Sequence, residues 1–125
     1  MRWTRRLWTT LAAISGCVSV AAGAFAAHGL TDRASELMRT GATYEFMHAL
    51  ATMACAIFMQ VGAQRARFAP AFFLSGTVLF SGSLYALALG APRWTGIVTP
   101  LGGLMFLAGW AVLAWVASGV DQPGA

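Results

Sequence analysis

Residues 7–27 read LWTTLAAISGCVSVAAGAFAA, a stretch without a single charged side chain. Its reading decides the fold. The run is continuously apolar and shows no period-two alternation, so a strand with one wet face is excluded. It matches the roughly 20 residues that a helix needs to cross a hydrocarbon layer. Working outward from it, three more such runs follow, which places the crossings at about residues 7–28, 44–62, 68–89 and 97–118. In lipid, each backbone N–H and C=O must be satisfied within its own segment, and isolated runs do that as helices. Composition agrees: 58% of the 125 residues are hydrophobic and 10% are charged, against about 25% charged in a soluble domain. Mean hydropathy is +0.68. The expected fold class is all-α, an integral membrane bundle of four transmembrane helices forming one domain over residues 1–125.

The connections are short. TDRASELMRTGAT (31–43) reads as a small amphipathic helix in the first loop, with Ala34, Leu37 and Met38 on one side. AQRAR (63–67) and GAPRWT (90–95) form the other two links. Gly90 and Pro92 end the third helix, whereas Pro70 and Pro100 fall near helix starts, where proline is tolerated.

All eight basic residues are arginine, and they sit at the ends of apolar runs. Nucleic-acid binders instead gather basic residues on one polar face, so that partner class is excluded. The N-terminus and second loop carry Arg2, Arg5, Arg6, Arg65 and Arg67, and the first and third loops carry Arg33, Arg39 and Arg93. The positive-inside rule then puts both termini in the cytoplasm. Trp3, Trp8 and Trp94 fit the interfacial aromatic belts. Cys17 and Cys55, without metal-site spacing, read as reduced, buried small hydrophobes. RWTRRLW followed by AFAA resembles a signal peptide, and ISGC (14–17) resembles a lipoprotein box. The apolar run outlasts a signal h-region and stays apolar after Cys17, so an uncleaved first span is expected.

Helices in lipid associate through close backbone approach and polar contacts. Small residues at four-residue spacing mark the expected packing faces. They are Ser15, Ser19, Gly23 and Ala27 beside Gly16 on the first helix, Gly82, Ala86 and Gly90 on the third, and Gly102 and Gly103 with Gly109 on the fourth.

YEFMHALA (44–51) opens the second span with Glu45 and His48 on one helical face. With alternating helix directions, His28, Tyr44, Glu45, His48, Tyr85 and Thr99 gather at similar depth near the outer boundary. Ser81 and Ser83 either bond their own helix or line a polar cleft leading inward. An ionised carboxylate in hydrocarbon must pair, face the bundle or remain at the headgroups. Glu-x-x-His is also the ligand spacing of di-metal bundles, but those require carboxylates on further helices, and the other three spans have none. Three readings stay open: a metal site on Glu45, His48 and His28, proton or ion handling, and a hydrogen-bonded clasp. The clasp is favoured, and no metal or cofactor is expected.

Four motifs carry a family resemblance: GAFAAHGL (23–30), YEFMHALA (44–51), GTVLFSGSLYALAL (76–89) and TPLGGLMFLAGW (99–110). In this order and spacing the chain resembles the "domain of unknown function 423" family of small bacterial inner-membrane proteins, which looks related to the eukaryotic "transmembrane protein 256" group. The matching positions are His28, Tyr44, His48, Ser81, Gly82, Ser83, Tyr85, Thr99, Pro100, Gly102 and Gly103. In that family the position of Glu45 is often glutamine, so the resemblance implies hydrogen bonding there rather than an obligatory carboxylate. It implies no established activity. The expectation is therefore a non-enzymatic structural or accessory protein acting through helix–helix contacts, with the bilayer and a homo-oligomer or larger membrane complex as partners. The alternative is a small oligomeric transporter or ion pathway using the polar cluster.

Overall fold

The structure is a computed structural model and describes residues 4–119. Arg2 and Trp3, counted above as flanking anchors, and the tail at 121–125 lie outside the described residues. Four helices span the molecule: α1 Arg5–His28, α2 Asp32–Gln60, α3 Pro70–Ala88 and α4 Val98–Ala117. Each is long and apolar enough to cross a membrane.

Local chemistry sets the helix ends. The Thr4 hydroxyl accepts from the Leu7 N–H and caps α1, satisfying one of the orphan donors of a helix start. Gly29 closes the helix by donating to the Phe25 carbonyl at 2.8 Å. The next helix begins at Asp32, whose φ of 53° turns the chain back. The Ser35 hydroxyl then latches the hairpin by donating to the Ala26 carbonyl at 2.8 Å. Gly90, at φ 102°, occupies the left-handed position that ends α3. Short 3-10 turns at Gln64–Phe68 and Arg93–Ile97 lead into α3 and α4.

One expectation needs correcting. The amphipathic segment at 31–43 is helical, but it is not a separate loop helix. It forms the first turns of a continuous 29-residue α2, so the second helix starts well before residue 44. The physical reason is that nothing in RTGATYEF breaks a helix: one internal glycine costs only about 1 kcal/mol. The apolar side of these turns packs inward, with Met38 buried and Ala34 and Leu37 half-buried.

Helix α2 is the central post. It contacts α1 and α3 along their lengths, and α3 in turn contacts α4. At the end of the bundle where α1 begins and α4 finishes, Trp8, Cys55, Met59, Phe73 and Val116 form an apolar core. Large apolar residues such as Val20, Ile57, Val78 and Leu107 stay exposed, as lipid-facing residues should. Cys17 is exposed rather than buried, and only Cys55 is interior.

The small-residue stripes are only partly the packing faces. A Cβ added at Gly16, Gly82 or Gly103 meets nothing within 4 Å, and Gly90 serves the turn. Gly23 is in ordinary contact with Ala42, Ser19 is buried but bonds its own helix, and Ala86 is half-buried. The close approaches are at Gly41, Gly76, Gly102 and Gly109. At Gly102 a Cβ would lie 2.7 Å from the Phe80 Cβ and against the Phe80 backbone, so neither helix can yield locally. At Gly76 and Gly109 the obstacles are the Phe106 and Phe73 rings. Phenylalanines of α3 and α4 thus fit over glycines of the opposite helix.

This geometry separates neighbouring glycines. Gly102→Ala should destabilise the protein by about 1–3 kcal/mol through overpacking, read as a lower melting temperature in detergent. Gly103→Ala should be neutral or stabilising by up to about 1 kcal/mol. Equal effects at the two positions would contradict the packing described.

Candidate functional site

The buried polar side chains are arranged in three tiers along α2. In the first, toward the start of α2, the Ser81 hydroxyl donates to the Gly41 carbonyl at 2.7 Å. Ser81 is fully buried, and the bond needs close helices. Gly41 allows this, because a Cβ there would lie 2.6 Å from the Tyr85 ring. Beside it, Ser83 and Thr99 share a hydroxyl–hydroxyl bond between α3 and α4, and the Ser83 hydroxyl also donates to the Phe80 carbonyl.

The second tier is Glu45. Its carboxylate is 5% exposed. Oε2 accepts from the Ser15 hydroxyl on α1 at 2.8 Å, and Oε1 accepts from the Tyr85 phenol on α3 at 2.7 Å. One side chain thereby joins three helices. Among the described residues it has no ion-pair partner.

The third tier is His48, 3% exposed. Nδ1 lies 2.7 Å from the Tyr44 carbonyl, and the Trp110 indole N–H on α4 reaches Nε2 at 3.0 Å. A carbonyl can only accept and an indole N–H can only donate. The two partners therefore select one neutral tautomer, protonated at Nδ1. The ring is stacked on Phe106 with centroids 3.5 Å apart. Below it, the Thr52 hydroxyl donates to the His48 carbonyl within α2.

The sequence expectation of one cluster at the outer boundary is corrected in two respects. First, His28 does not join it: it is exposed on the last turn of α1, and its side chain makes no hydrogen bond among the described residues. Second, Glu45 pairs with Ser15, which lies 13 residues before His28, roughly 20 Å along the helix. Because α2 starts at Asp32, Glu45 rides into the middle of the bundle instead of staying at its rim. The structure does bring together Glu45 with Tyr85, Ser83 with Thr99, and Tyr44 with His48. Tyr44 acts through its carbonyl, while its half-exposed ring packs on Phe80. Glu45 and His48, though three residues apart, direct their polar atoms to different helices. Among the described residues no group of three metal-ligating side chains converges.

Sequence reasoning missed Trp110, Gly41 and the bonding role of Ser15. Trp110 carried a signal, since an indole N–H within an apolar run needs an acceptor. Gly41 lies four residues before Glu45, hence on the same helical face.

The bonding at Glu45 predicts unequal effects of two substitutions. Glu45→Ala leaves the Ser15 and Tyr85 hydroxyls buried without their acceptor and should cost about 2–4 kcal/mol. Glu45→Gln keeps a carbonyl oxygen and adds donors, and should stay within about 1 kcal/mol of wild type. Melting in detergent distinguishes them, and a glutamine variant as unstable as the alanine variant would show that the charge itself is needed.

Comparison with known proteins fits this picture. Residues 22–103 match the family described as "Protein of unknown function (DUF423)", a range holding Glu45, His48 and every α3 group above, with Ser15 and Trp110 beyond its edges. The "UPF0382 inner membrane protein YgdD" of Escherichia coli (strain K12) is 47% identical over 115 residues, covering 88% of each chain. A "UPF0382 membrane protein" of Haemophilus influenzae is 43% identical over 112 residues, covering 86% of this chain and 90% of the relative. Another, from Staphylococcus epidermidis, is 35% identical over 112 residues, covering 86% and 92%. No solved structure matches. With four apolar helices and inner-membrane relatives along most of its length, the chain belongs to the DUF423 family of membrane proteins.

Proposed function

We propose that the protein is a structural or accessory component of the inner membrane, with a non-catalytic role exerted through helix–helix contacts, either with further copies of itself or within a larger membrane complex. The observation that carries this reading is the closure of the polar tiers upon themselves. Ser15, Glu45 and Tyr85 satisfy one another, as do Tyr44, His48 and Trp110, and Ser83 with Thr99. Such bonds between membrane helices are worth roughly 0.6–2 kcal/mol each and fix register, which suits a rigid docking unit. Two grooves of about 1010 and 380 Å³ lie between α1 and α2 and between α2 and α4, and neither is lined by Glu45, His48, Ser81 or Ser83. The arginine distribution supports a cytoplasmic location for both termini.

The competing reading is a proton or ion pathway, favoured by one observation: a carboxylate buried among membrane helices with no cation beside it among the described residues, a feature of transport routes. His48→Ala discriminates between the two. Under the clasp reading it should lower the melting temperature in detergent by the equivalent of about 2–4 kcal/mol, since it removes a stacked ring and strands the Trp110 N–H. Unchanged melting would overturn the clasp. Unchanged melting together with lost proton or ion flux in reconstituted vesicles would establish the pathway instead.

A further inference from the structure

The two ends of the bundle differ in charge. Where α1 begins, α2 ends and α4 ends, the described charged residues are Arg5, Arg6, Arg65 and Arg67, with no carboxylate. At the opposite end, Arg33, Arg39 and Arg93 are offset by Asp32 and Glu36. The four arginines at the basic end are not equivalent. Arg65 is bonded to Ser118 and lies over the Trp115 ring. Arg67 is bonded to the Gln64 carbonyl and lies over Phe68. Arg5 and Arg6 are exposed, and among the described residues their guanidinium groups have no partner. Both line the groove of about 1010 Å³ between α1 and the end of α2.

That groove is layered. Arg5 and Arg6 stand at its mouth. One turn deeper on α1 come Thr9 and Thr10, with Gln60 of α2 across from the same end. Another turn deeper on α1 come Ala13 and Ile14, and Ala56, Ile57 and Met59 of α2 complete the lining. The α1 residues follow at four-residue steps on one helical face, about 6 Å apart per step. The α2 wall is apolar apart from Gln60 at its end. Charge, then hydroxyl and amide, then hydrocarbon is the profile of a phospholipid read from phosphate through glycerol esters to acyl chain. A lone phosphate ion would have no use for the apolar floor, and a neutral lipid would have none for two guanidinium groups that lack a partner among the described residues.

We propose that this cleft binds an anionic phospholipid, its phosphate held between Arg5 and Arg6 and one acyl chain passing Ile57 to lie along Ala13 and Ile14. The Thr9 hydroxyl, which makes no hydrogen bond among the described residues, is a donor at the depth of the ester carbonyls, and the Gln60 amide, likewise without a bond among them, stands beside the mouth. Thr10 already donates to the Arg6 carbonyl and contributes only as an acceptor. Basic pockets between membrane helices are established sites for anionic headgroups, and guanidinium groups suit the phosphate geometry.

The test uses the full-length protein in detergent, titrated with phosphatidylglycerol or phosphatidylcholine and read by native mass spectrometry and melting. Wild type should retain phosphatidylglycerol in preference to phosphatidylcholine and be stabilised by it. The double variant Arg5→Gln/Arg6→Gln should melt like wild type without added anionic lipid and bind phosphatidylglycerol roughly thirtyfold more weakly, given about 1 kcal/mol per arginine near an anionic surface. Ala13→Phe, which obstructs the floor while leaving both arginines, should also reduce retention. Arg65→Gln/Arg67→Gln, at the same end but outside the groove, should not. Equal losses from the two arginine pairs would overturn the proposal in favour of a general surface field. Competition by equimolar inorganic phosphate, or full retention by Ala13→Phe, would overturn it as well, because the acyl part of the cleft would then be irrelevant.

Discussion

The arrangement depends on the Glu45 carboxylate being satisfied inside lipid. A charged side chain near the bilayer centre is costly, and its neighbours must replace the water it has lost. Here two hydroxyls from two different helices do so, one on each carboxylate oxygen. That requirement positions α1 and α3 against α2 at defined heights. The Ser35–Ala26 latch and the Gly23–Ala42 contact are consistent with the same antiparallel register between α1 and α2. The Ser81–Gly41 bond sets the register between α2 and α3.

Packing between α3 and α4 follows a different logic. Lipid gives little hydrophobic drive for helices to associate, so shape fit and close backbone approach must supply it. Phe73, Phe80 and Phe106 each meet a glycine on the facing helix, and the stacked His48 ring rests on Phe106. Bulky rings over glycines bring the two backbones near enough for Ser83 to reach Thr99. The polar tiers and the glycine contacts are thus one design: the glycines permit the distances that the short hydroxyl side chains need.

Much of the fold was legible in the sequence because its strongest signals were long and redundant. Four long apolar runs separated by arginine-bearing links fix the number of crossings without reference to tertiary structure. Heights within the bundle were less legible, because they depend on where α2 starts, and RTGATYEF contains no strong stop or start. Placing that start at 44 rather than 32 shifted Glu45 from the middle of the bundle to its edge and assigned it His28 as a neighbour. The glycine roles were likewise hidden. Spacing alone cannot distinguish Gly102, which meets Phe80, from Gly103, which meets nothing, since one residue of rotation separates contact from open lipid. Tyr85 and Thr99 were found because their polar groups stand out in apolar runs. Trp110 meets the same criterion, its indole N–H standing in an apolar run near the middle of the fourth span.

The tight turn between α1 and α2 has a consequence for how the chain enters the bilayer. An isolated α2 would carry its acidic group into hydrocarbon unaccompanied, at roughly 3 kcal/mol on translocon scales for an acidic residue at a helix centre. With only Gly29–Thr31 between the helices, Ser15 arrives tethered to the residue it must solvate. The first two helices are therefore a cheaper insertion unit as a preformed hairpin than as successive single passes, and a ribosome releasing them together would deliver the acid and its solvating hydroxyl in one event.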